Sequence, residues 1–249
     1  MKLSPVLLIR KHSRLLSLLV LLGAGAWAAT VPPMDDLVAG QKLAAELRVL
    51  QPPTNAEFSG TLKISRPKAA DLNLPLRLQI MILPAGGWKS VYEARLPVGG
   101  TETLTISHAP GQGATYELRR GDAVENTVET NMTASFAGSD FWLVDLGLGF
   151  LHWPGQSVVA KEMRKGFGCS VLASRPAETN RYSRVLSWID QEQGGLIMAE
   201  GYDARGKLLK EFEVKSVKKV GGQYQVSEME MRNRQDKTNT RLQFKFDKD

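Results

Sequence analysis

Apolar and polar residues alternate along most of the chain, which predicts antiparallel β-strands. Every second residue is apolar or glycine in Phe58–Ser65, and Leu76–Ile82 has the same period of two. Glycine- and proline-rich turns separate such stretches, as is typical of consecutive hairpins. The same pattern predicts further strands at Trp88–Leu96, Thr101–Ser107, Ala114–Arg120, Gln156–Arg164, Gly168–Ser174, Arg184–Asp190, Leu196–Tyr202, Lys207–Lys218, Gln223–Asn233 and Thr238–Phe246. Residues 122–136 are polar and weakly patterned, and they form either one more strand or a loop.

The last strands indicate how the sheet is buried. In the final one, Leu242, Phe244 and Phe246 alternate with Arg241, Gln243 and Lys245, and the two preceding strands repeat this pattern. We therefore expect one apolar face and one face that carries a solvated mixture of charges. A meander of roughly ten strands is too long to stay flat, so we expect the sheet to curl or split.

One helix is predicted before the first strand, at Pro33–Gln51. Two aspartates near its start favour the positive end of a helix dipole, and two prolines end it. Leu43 and Leu47 lie on its single apolar face. Because only one face is apolar, the helix must pack against another part of the protein.

The segment Ser139–Pro154, called the central segment below, is apolar nearly all round. It contains two of the five tryptophans and two of the eight phenylalanines, so it must be covered from more than one side. Gly147 and Gly149 each cost about 1 kcal/mol inside a helix, which predicts two short helical turns with a flexible joint. The central segment is either a plug in the core or a mobile apolar element over the sheet. In the second case, an apolar ligand would compete for the same surface.

The first 28 residues have the pattern of a signal peptide. Basic residues precede an apolar run at Leu15–Leu22, and Ala26-Trp27-Ala28 matches a cleavage site. We therefore expect residues 29–249 to form a single mature domain in the periplasm. An uncleaved anchor is the alternative, and it would also place the body of the protein outside the cytoplasm.

Loss of the signal peptide changes the charge balance. The whole chain has 32 basic and 26 acidic side chains, and residues 1–28 hold four of the basic ones and none of the acidic ones. The mature chain thus has 28 basic and 26 acidic side chains, a net charge of +2. This balance does not indicate a nucleic-acid partner. The single cysteine, Cys169, cannot form an internal disulfide, and we interpret it as a buried thiol.

The sequence lacks the common motifs of enzymes and metal sites. His108 and His152, the histidines of the mature chain, do not have a metal-binding spacing, and no phosphate loop or nucleophile-elbow motif occurs. Asp140 and Asp145 flank the central aromatics and could act as an acid and a base. They are interpreted more simply as a helix start and a polar break in the central segment. We expect no catalytic residue, metal or cofactor, and a secreted enzyme is the third hypothesis.

Four stretches of the chain resemble bacterial outer-membrane lipoprotein-sorting proteins, which are related to the periplasmic carrier LolA and its acceptor LolB. These stretches are Phe141–Pro154, Ser183–Asp190, Gly201–Val220 and Met229–Phe244. The resemblance implies a mainly β fold of the α+β kind, in which a curved antiparallel sheet forms an incomplete, half β-barrel. It also implies that helices form a lid over a concave apolar face, where a cavity accepts acyl chains.

The resemblance suggests a periplasmic hydrophobic carrier that binds acyl chains of lipoproteins or lipids during outer-membrane lipoprotein sorting. Its partners would be an acylated lipoprotein or lipid and the lipoprotein-transport proteins of the inner and outer membranes. Because the family also contains sensors with this half barrel, a non-catalytic sensor or protein-binding module is the alternative. The candidate residues of the cavity and lid are Leu43, Leu47, Trp142, Leu146, Leu148, Phe150, Trp153, Trp188, Met198, Phe212, Met229, Met231, Leu242 and Phe244. Methionine suits such a cavity because its flexible thioether adapts to different chains.

Overall fold

One antiparallel sheet makes up most of the structure. The computed structural model describes residues 34–84, 86–121, 127–179, 181–220 and 223–246, and within them the sheet has thirteen strands. The predicted signal peptide, residues 1–28, lies outside the described residues. Pro32–Asp249 forms one compact unit, and its content is mainly β, as predicted.

The strands follow the alternating pattern of the sequence. They are β1 (Ala56–Ser65), β2 (Leu72–Ile82), β3 (Trp88–Arg95), β4 (Thr101–His108), β5 (Thr115–Arg120), β6 (Thr127–Val128), β7 (Gly155–Arg164), β8 (Phe167–Arg175), β9 (Arg184–Asp190), β10 (Leu196–Tyr202), β11 (Leu208–Val220), β12 (Gln223–Asn233) and β13 (Thr238–Lys245). Only β6, two residues long, falls in the stretch for which the pattern left strand and loop open. The predicted hairpins are confirmed, because every other strand lies at or near a predicted position.

The sheet consists of two meanders that are joined by its first and last strands. The strand order is β6-β5-β4-β3-β2-β1-β13-β12-β11-β10-β9-β8-β7. At the junction, Leu62 of β1 pairs with Leu242 of β13, although the two residues are far apart in the sequence. β6 and β7 are the edges and do not pair with each other among the described residues. The sheet is therefore not closed, which fits a half barrel.

Helical residues are few and lie in two places. The helix α1 (Met34–Arg48) packs against β7 and β8, and Gly40 allows a close approach. A Cβ atom at Gly40 would lie only 2.3 Å from the Cα atom of Ser157. The central segment contains α2 (Leu143–Leu146) and a 3-10 helix (Gly149–His152). The predicted amino-terminal helix and the two short helical turns are thus confirmed.

The strand register defines the two faces of the sheet, because successive side chains point to opposite sides. One row across seven strands contains Leu172, Ser187, Ala199, Phe212, Met231, Thr240 and Ile64. We call this side the core face, since the largest cluster of buried apolar side chains lies on it. The adjacent row, on what we call the charged face, contains Val171, Trp188, Met198, Glu213, Glu230, Arg241 and Lys63.

The central segment contributes to two clusters on the core face. Phe141 and Leu143 are buried with side chains of β1 to β5, β12 and β13. Trp142 and Val144 are buried instead with residues of α1 and β8 to β11. Alternate residues therefore enter different clusters, and the segment is covered from two sides, as its composition predicts.

The charged face is less solvated than the sequence predicts. Glu230 is only 1% exposed, and it forms ion pairs with Arg232 and with Arg241, whose Nε lies 2.9 Å from a carboxylate oxygen. Glu211 is nearly buried in the same way, with Arg234 at 2.6 Å. The guanidinium groups of these arginines pair with the carboxylates, and the apolar stems of the arginines shield the pairs from water. A row of alternating charges can therefore pack densely on this face.

Candidate functional site: an apolar cavity at one end of the sheet

A cavity of about 340 Å³ lies at the end of the sheet where β3 and β10 begin and β4 and β9 end. Its walls come from the last turn of α1, from the central segment and from these strand ends. The lining residues are Leu47, Arg48, Leu50, Gln51, Pro52, Trp88, His108, Leu146, Gly147, Leu148, Phe150, Leu151, His152, Ile189, Gly194, Gly195 and Leu196. We call it the end cavity. Its size and mainly apolar lining fall in the range of small-molecule sites.

Trp88 and His108 form one wall of the end cavity. They are directly opposite each other on β3 and β4, and their rings stack with centroids 3.9 Å apart and an interplanar angle of 13°. Burial and, to a smaller extent, the nearby His152 lower the pKa of His108 to about 4. The imidazole of His108 is therefore neutral at neutral pH, so this wall presents flat, uncharged rings to the cavity.

The opposite wall is the second half of the central segment. Leu148 separates α2 from the 3-10 helix and has a left-handed backbone, with φ of 49°. Gly147 precedes it, and a Cβ atom at that position would lie 2.3 Å from the Tyr116 hydroxyl oxygen. This close contact requires glycine at position 147. The flexible joint expected from the sequence does not include such a constraint. The resulting bend directs Leu148 and Phe150 to the end cavity.

Asp140 fixes the first half of the central segment to β13. Its carboxylate accepts hydrogen bonds from the hydroxyls of Thr238 and Thr240, the latter at 2.8 Å. The backbone N–H of Asp140 donates to the Thr240 hydroxyl at 2.9 Å. Thr240 is completely buried, so these bonds are shielded from water.

A second buried polar group lies around Asp145. Its carboxylate accepts hydrogen bonds from the backbone N–H of Trp142 at 2.9 Å and from the Tyr182 hydroxyl at 3.0 Å. The Lys210 ammonium lies 3.3 Å from it and 3.2 Å from the centroid of the Trp142 ring. Burial lowers the pKa of Lys210 to about 8, although Asp145 acts in the opposite direction. Both aspartates therefore have structural partners, and the geometry gives no sign of the acid and base pair considered from the sequence.

A smaller cavity of about 20 Å³ lies deeper on the core face. Its lining residues are Asp145, Leu148, Phe150, Tyr182, Val185, Leu196, Ala199, Gly201, Lys210, Phe212 and Met231. This volume is roughly that of one water-sized probe. Leu148, Phe150 and Leu196 line both cavities. Movement of these three side chains would connect the end cavity with the smaller cavity on the core face.

The structure brings most of the predicted cavity residues to one side of the sheet. Leu47, Leu146, Leu148 and Phe150 line the end cavity, and Phe212 and Met231 line the smaller one. Leu43 and Trp142 pack in the cluster around α1, and Trp153 lines a neighbouring surface pocket. Met229, Leu242 and Phe244 belong to the packed core beneath β1, β12 and β13.

Trp188 and Met198 do not join this group. Both lie in the row of the charged face, in a separate cluster with Cys169. The Trp188 indole N–H donates to Glu162 at 2.6 Å, and the Arg164 guanidinium lies over its ring at 5.1 Å. The family resemblance implied a cavity role for both residues, but the register places their side chains on the opposite side from Ala199 and Phe212. Cys169 is buried, as expected.

Sequence reasoning missed several residues of the end cavity. The largest omissions are Trp88, His108, His152, Ile189 and Leu196. Each lies at a strand end or in the 3-10 helix, where alternation gives no signal about which other chain segment lies nearby. The two histidines were considered only as metal ligands or catalysts. Among the described residues, no group of three or more His, Cys, Asp or Glu side chains could hold a metal ion.

The helices of the described residues are too short or too polar to span a membrane.

The sequence matches a model of a known protein family. Residues 90–247, more than half of the chain, match a family model described as "Uncharacterized protein". The chain belongs to that family. No curated protein sequence matches the chain.

Solved structures show which fold this family member has. A DUF1329 family protein from Desulfovibrio piger has a TM-score of 0.70 and 18% identity, over 84% of this chain and 91% of that one. A domain assigned to outer membrane lipoprotein sorting, from Vibrio parahaemolyticus, has the same TM-score and identity over 84% and 92%. A LolA superfamily protein from Nitrosomonas europaea has a TM-score of 0.60 and 13% identity over 83% and 91%. The predicted resemblance to lipoprotein-sorting proteins is thus confirmed at the level of the fold, which is LolA-like.

Proposed function

We propose that this protein is a periplasmic hydrophobic carrier that binds acyl chains of lipoproteins or lipids in the end cavity, as part of outer-membrane lipoprotein sorting. The end cavity is the observation that carries the proposal. It is apolar, it adjoins a second cavity, and it lies in a fold shared with a domain assigned to lipoprotein sorting. An acyl chain matches such a space because each buried methylene contributes about 0.8 kcal/mol.

The proposed binding mode uses α1 and the central segment as a lid. Leu148 and Phe150 lie between the end cavity and the smaller cavity, so their displacement would lengthen the site along the core face. The two lid elements are held together by a hydrogen bond from Arg48 to the Leu151 carbonyl at 2.9 Å. Because Arg48 is exposed, this bond competes with water and contributes only about 1 kcal/mol. Apolar packing also joins the two elements, since Ala44 of α1 clusters with Phe150 and Leu151 of the central segment. An acyl chain that opened the lid would replace these apolar contacts with its own.

The proposed ligand-binding residues are those of the predicted set that lie on this side of the sheet. They are Leu43, Leu47, Trp142, Leu146, Leu148, Phe150, Trp153, Phe212, Met229, Met231, Leu242 and Phe244. Leu146, Leu148 and Phe150 would contact the first part of an acyl chain, since they line the larger cavity. The transport proteins of the inner and outer membranes would supply and receive the acylated cargo. The predicted signal peptide supports a periplasmic location.

A binding experiment with one cavity variant tests the proposal. Residues 29–249 are purified, examined by native mass spectrometry with lipid extraction, and titrated with a fluorescent fatty acid. Leu148→Asp places a carboxylate in the end cavity, and aspartate tolerates the left-handed backbone of this position. We expect fatty-acid affinity to fall at least about tenfold, because an acyl chain cannot solvate the carboxylate.

Val98→Asp is the matched control. Val98 is 95% exposed in the β3–β4 turn, far from the lining of the end cavity, so the same change should leave fatty-acid binding unaltered. A protein that carries no lipid after purification and takes up no fatty acid would contradict the carrier proposal. That result would favour the sensor or protein-binding module on the same fold. Equal losses in the two variants would also contradict the assignment of the site.

A further inference from the structure

The β11–β12 hairpin extends beyond the rest of the sheet. β10 pairs with β11 as far as Met198 and Glu213, and β13 pairs with β12 from Gln243 and Glu228. Beyond these pairs, β11 and β12 remain paired with each other: Val217 lies opposite Val226, and Val220 lies opposite Gln223. We call residues 214–220 and 223–227 the β11–β12 arm.

The β11–β12 arm is basic and apolar. Residues 214–227 include three lysines and contain neither aspartate nor glutamate. Lys215 is bonded to Glu213 at 3.0 Å, whereas Lys218 and Lys219 form no ion pair among the described residues. Both are exposed and lie 5.9 Å from the centroids of aromatic rings, those of Phe246 and Tyr224 respectively. Within the part of the chain that the structure describes, the arm therefore carries two positive charges that no acidic side chain pairs with.

Exposed apolar side chains lie on the same side of the arm as Lys219, whereas Lys218, the preceding residue, points to the other side. Tyr224 is 73% exposed and Val217 is 52% exposed, and Val226 pairs directly with Val217 across the hairpin. Lys219 pairs with Tyr224 two positions further along the same side of the arm. Apolar side chains on a protruding hairpin cost free energy in water unless a partner covers them. A tyrosine with an apolar ring and polar tip is typical of a membrane–water interface.

The arm lies at the same end of the molecule as the end cavity. β10 begins at Leu196, which lines that cavity together with the preceding Gly194 and Gly195. Because β11 is antiparallel to β10, the residues after Glu213 run past the start of β10. The arm thus projects from the sheet beside the wall of the end cavity.

We propose that the β11–β12 arm binds the surface of a membrane that contains anionic phospholipids. Lys218 and Lys219 would lie among the phosphate groups, and Tyr224, Val217 and Val226 would enter the interface between headgroups and acyl chains. The charge complementarity selects an anionic bilayer over a neutral one. This binding does not depend on what the end cavity holds, although it would bring that cavity close to a source or acceptor of acyl chains.

Vesicle co-sedimentation tests the proposal. Residues 29–249, which include the compact unit Pro32–Asp249, are mixed with vesicles of phosphatidylcholine that contain either about 30 mol% of the anionic lipid phosphatidylglycerol or none. We expect binding to the anionic vesicles that weakens as salt rises. Lys218→Ala/Lys219→Ala should lower the partition coefficient by about 30-fold, since each lysine near an anionic surface contributes about fivefold. Tyr224→Ser should lower it as well, by removing the ring from the interface.

A variant at the opposite end of β11 is the control. Arg205→Ala/Lys207→Ala also removes two positive charges, and both residues are exposed in the β10–β11 turn. We expect it to keep most of the binding. The proposal is overturned if the protein ignores anionic vesicles, if it binds neutral ones equally well, or if the control loses as much affinity as the lysine pair. Fatty-acid uptake by the lysine variant should be unchanged, which separates this proposal from that for the end cavity.

Discussion

The two halves of the central segment differ in how they are held. In the first half, Phe141 is 1% exposed, Leu143 is fully buried, and Asp140 bonds to the buried Thr240. In the second half, Phe150 and Leu151 are also buried. Leu146 and Leu148, however, are only partly buried and line the end cavity. Dense packing and buried polar partners fix the first half in place. The second half has space on one side, so it is the part that a ligand could displace.

The largest expected contrast is between alanine substitutions in the two halves. Phe141→Ala removes a fully packed ring and should lower the free energy of unfolding by about 3–5 kcal/mol. Leu148→Ala should cost only about 1 kcal/mol, because its side chain already borders empty space and forms fewer contacts. Urea denaturation of residues 29–249 measures both values. Similar costs for the two changes would show that the halves are equally packed, which would remove the physical basis for a displaceable lid.

A second, smaller contrast concerns the polar anchor of the first half. Thr240→Val keeps the shape of the side chain but removes a donor to the Asp140 carboxylate and an acceptor for the Asp140 N–H. Since both groups are buried, we expect a loss of about 1–3 kcal/mol in urea denaturation. Thr238→Val is the control, because Thr238 is only partly buried and water can replace its hydroxyl. If both variants lost the same amount, burial of the anchor would not be what fixes this half.

Much of the sheet could be predicted from the sequence, because alternation is a local signal. Twelve of the thirteen strands have a period of two that is visible in the chain, and the turns between them are rich in glycine and proline. The junction of β1 with β13 could not be predicted, since nothing local indicates which strands meet across such a sequence distance. The same limit explains Trp188 and Met198. Both have the composition of cavity residues, but only the register across β8 to β11 shows that they lie with Glu213 on the charged face.

The residues of the candidate site could be predicted only in part, because they too come from distant parts of the chain. Leu148 and Phe150 belong to a segment whose composition already sets it apart, and both line the end cavity. Trp88 and His108 are ordinary strand ends until β3 and β4 are placed opposite the central segment. A cavity is a property of surfaces that meet from distant parts of the chain. Its residues are therefore less visible in the sequence than those of a packed strand.

The smallest expected effect tests whether water hydrates the wall of the end cavity that Trp88 and His108 form. The pKa of His108 in the folded protein is about 4, below its ordinary value of 6.5, so the unfolded chain binds more protons between these pH values. The free energy of unfolding should therefore rise with pH through this window, and the contribution should be lost as pH falls from 6.5 to 4. Because the ring is partly exposed, we expect about 1 kcal/mol or less.

Urea denaturation of the wild type and His108→Gln at pH 7, 5.5 and 4.5 isolates this contribution from that of the carboxylates. The wild type should lose stability relative to the variant as the pH falls, since only its imidazole can take up a proton on unfolding. His152→Gln serves as a comparison, because burial and the nearby Arg48 also lower the pKa of His152. A constant difference between wild type and His108→Gln would mean that the His108 ring is as well hydrated in the folded protein as in the unfolded chain. The wall beside Trp88 would then be wet, and an acyl chain would gain less by covering it than by packing against Leu148.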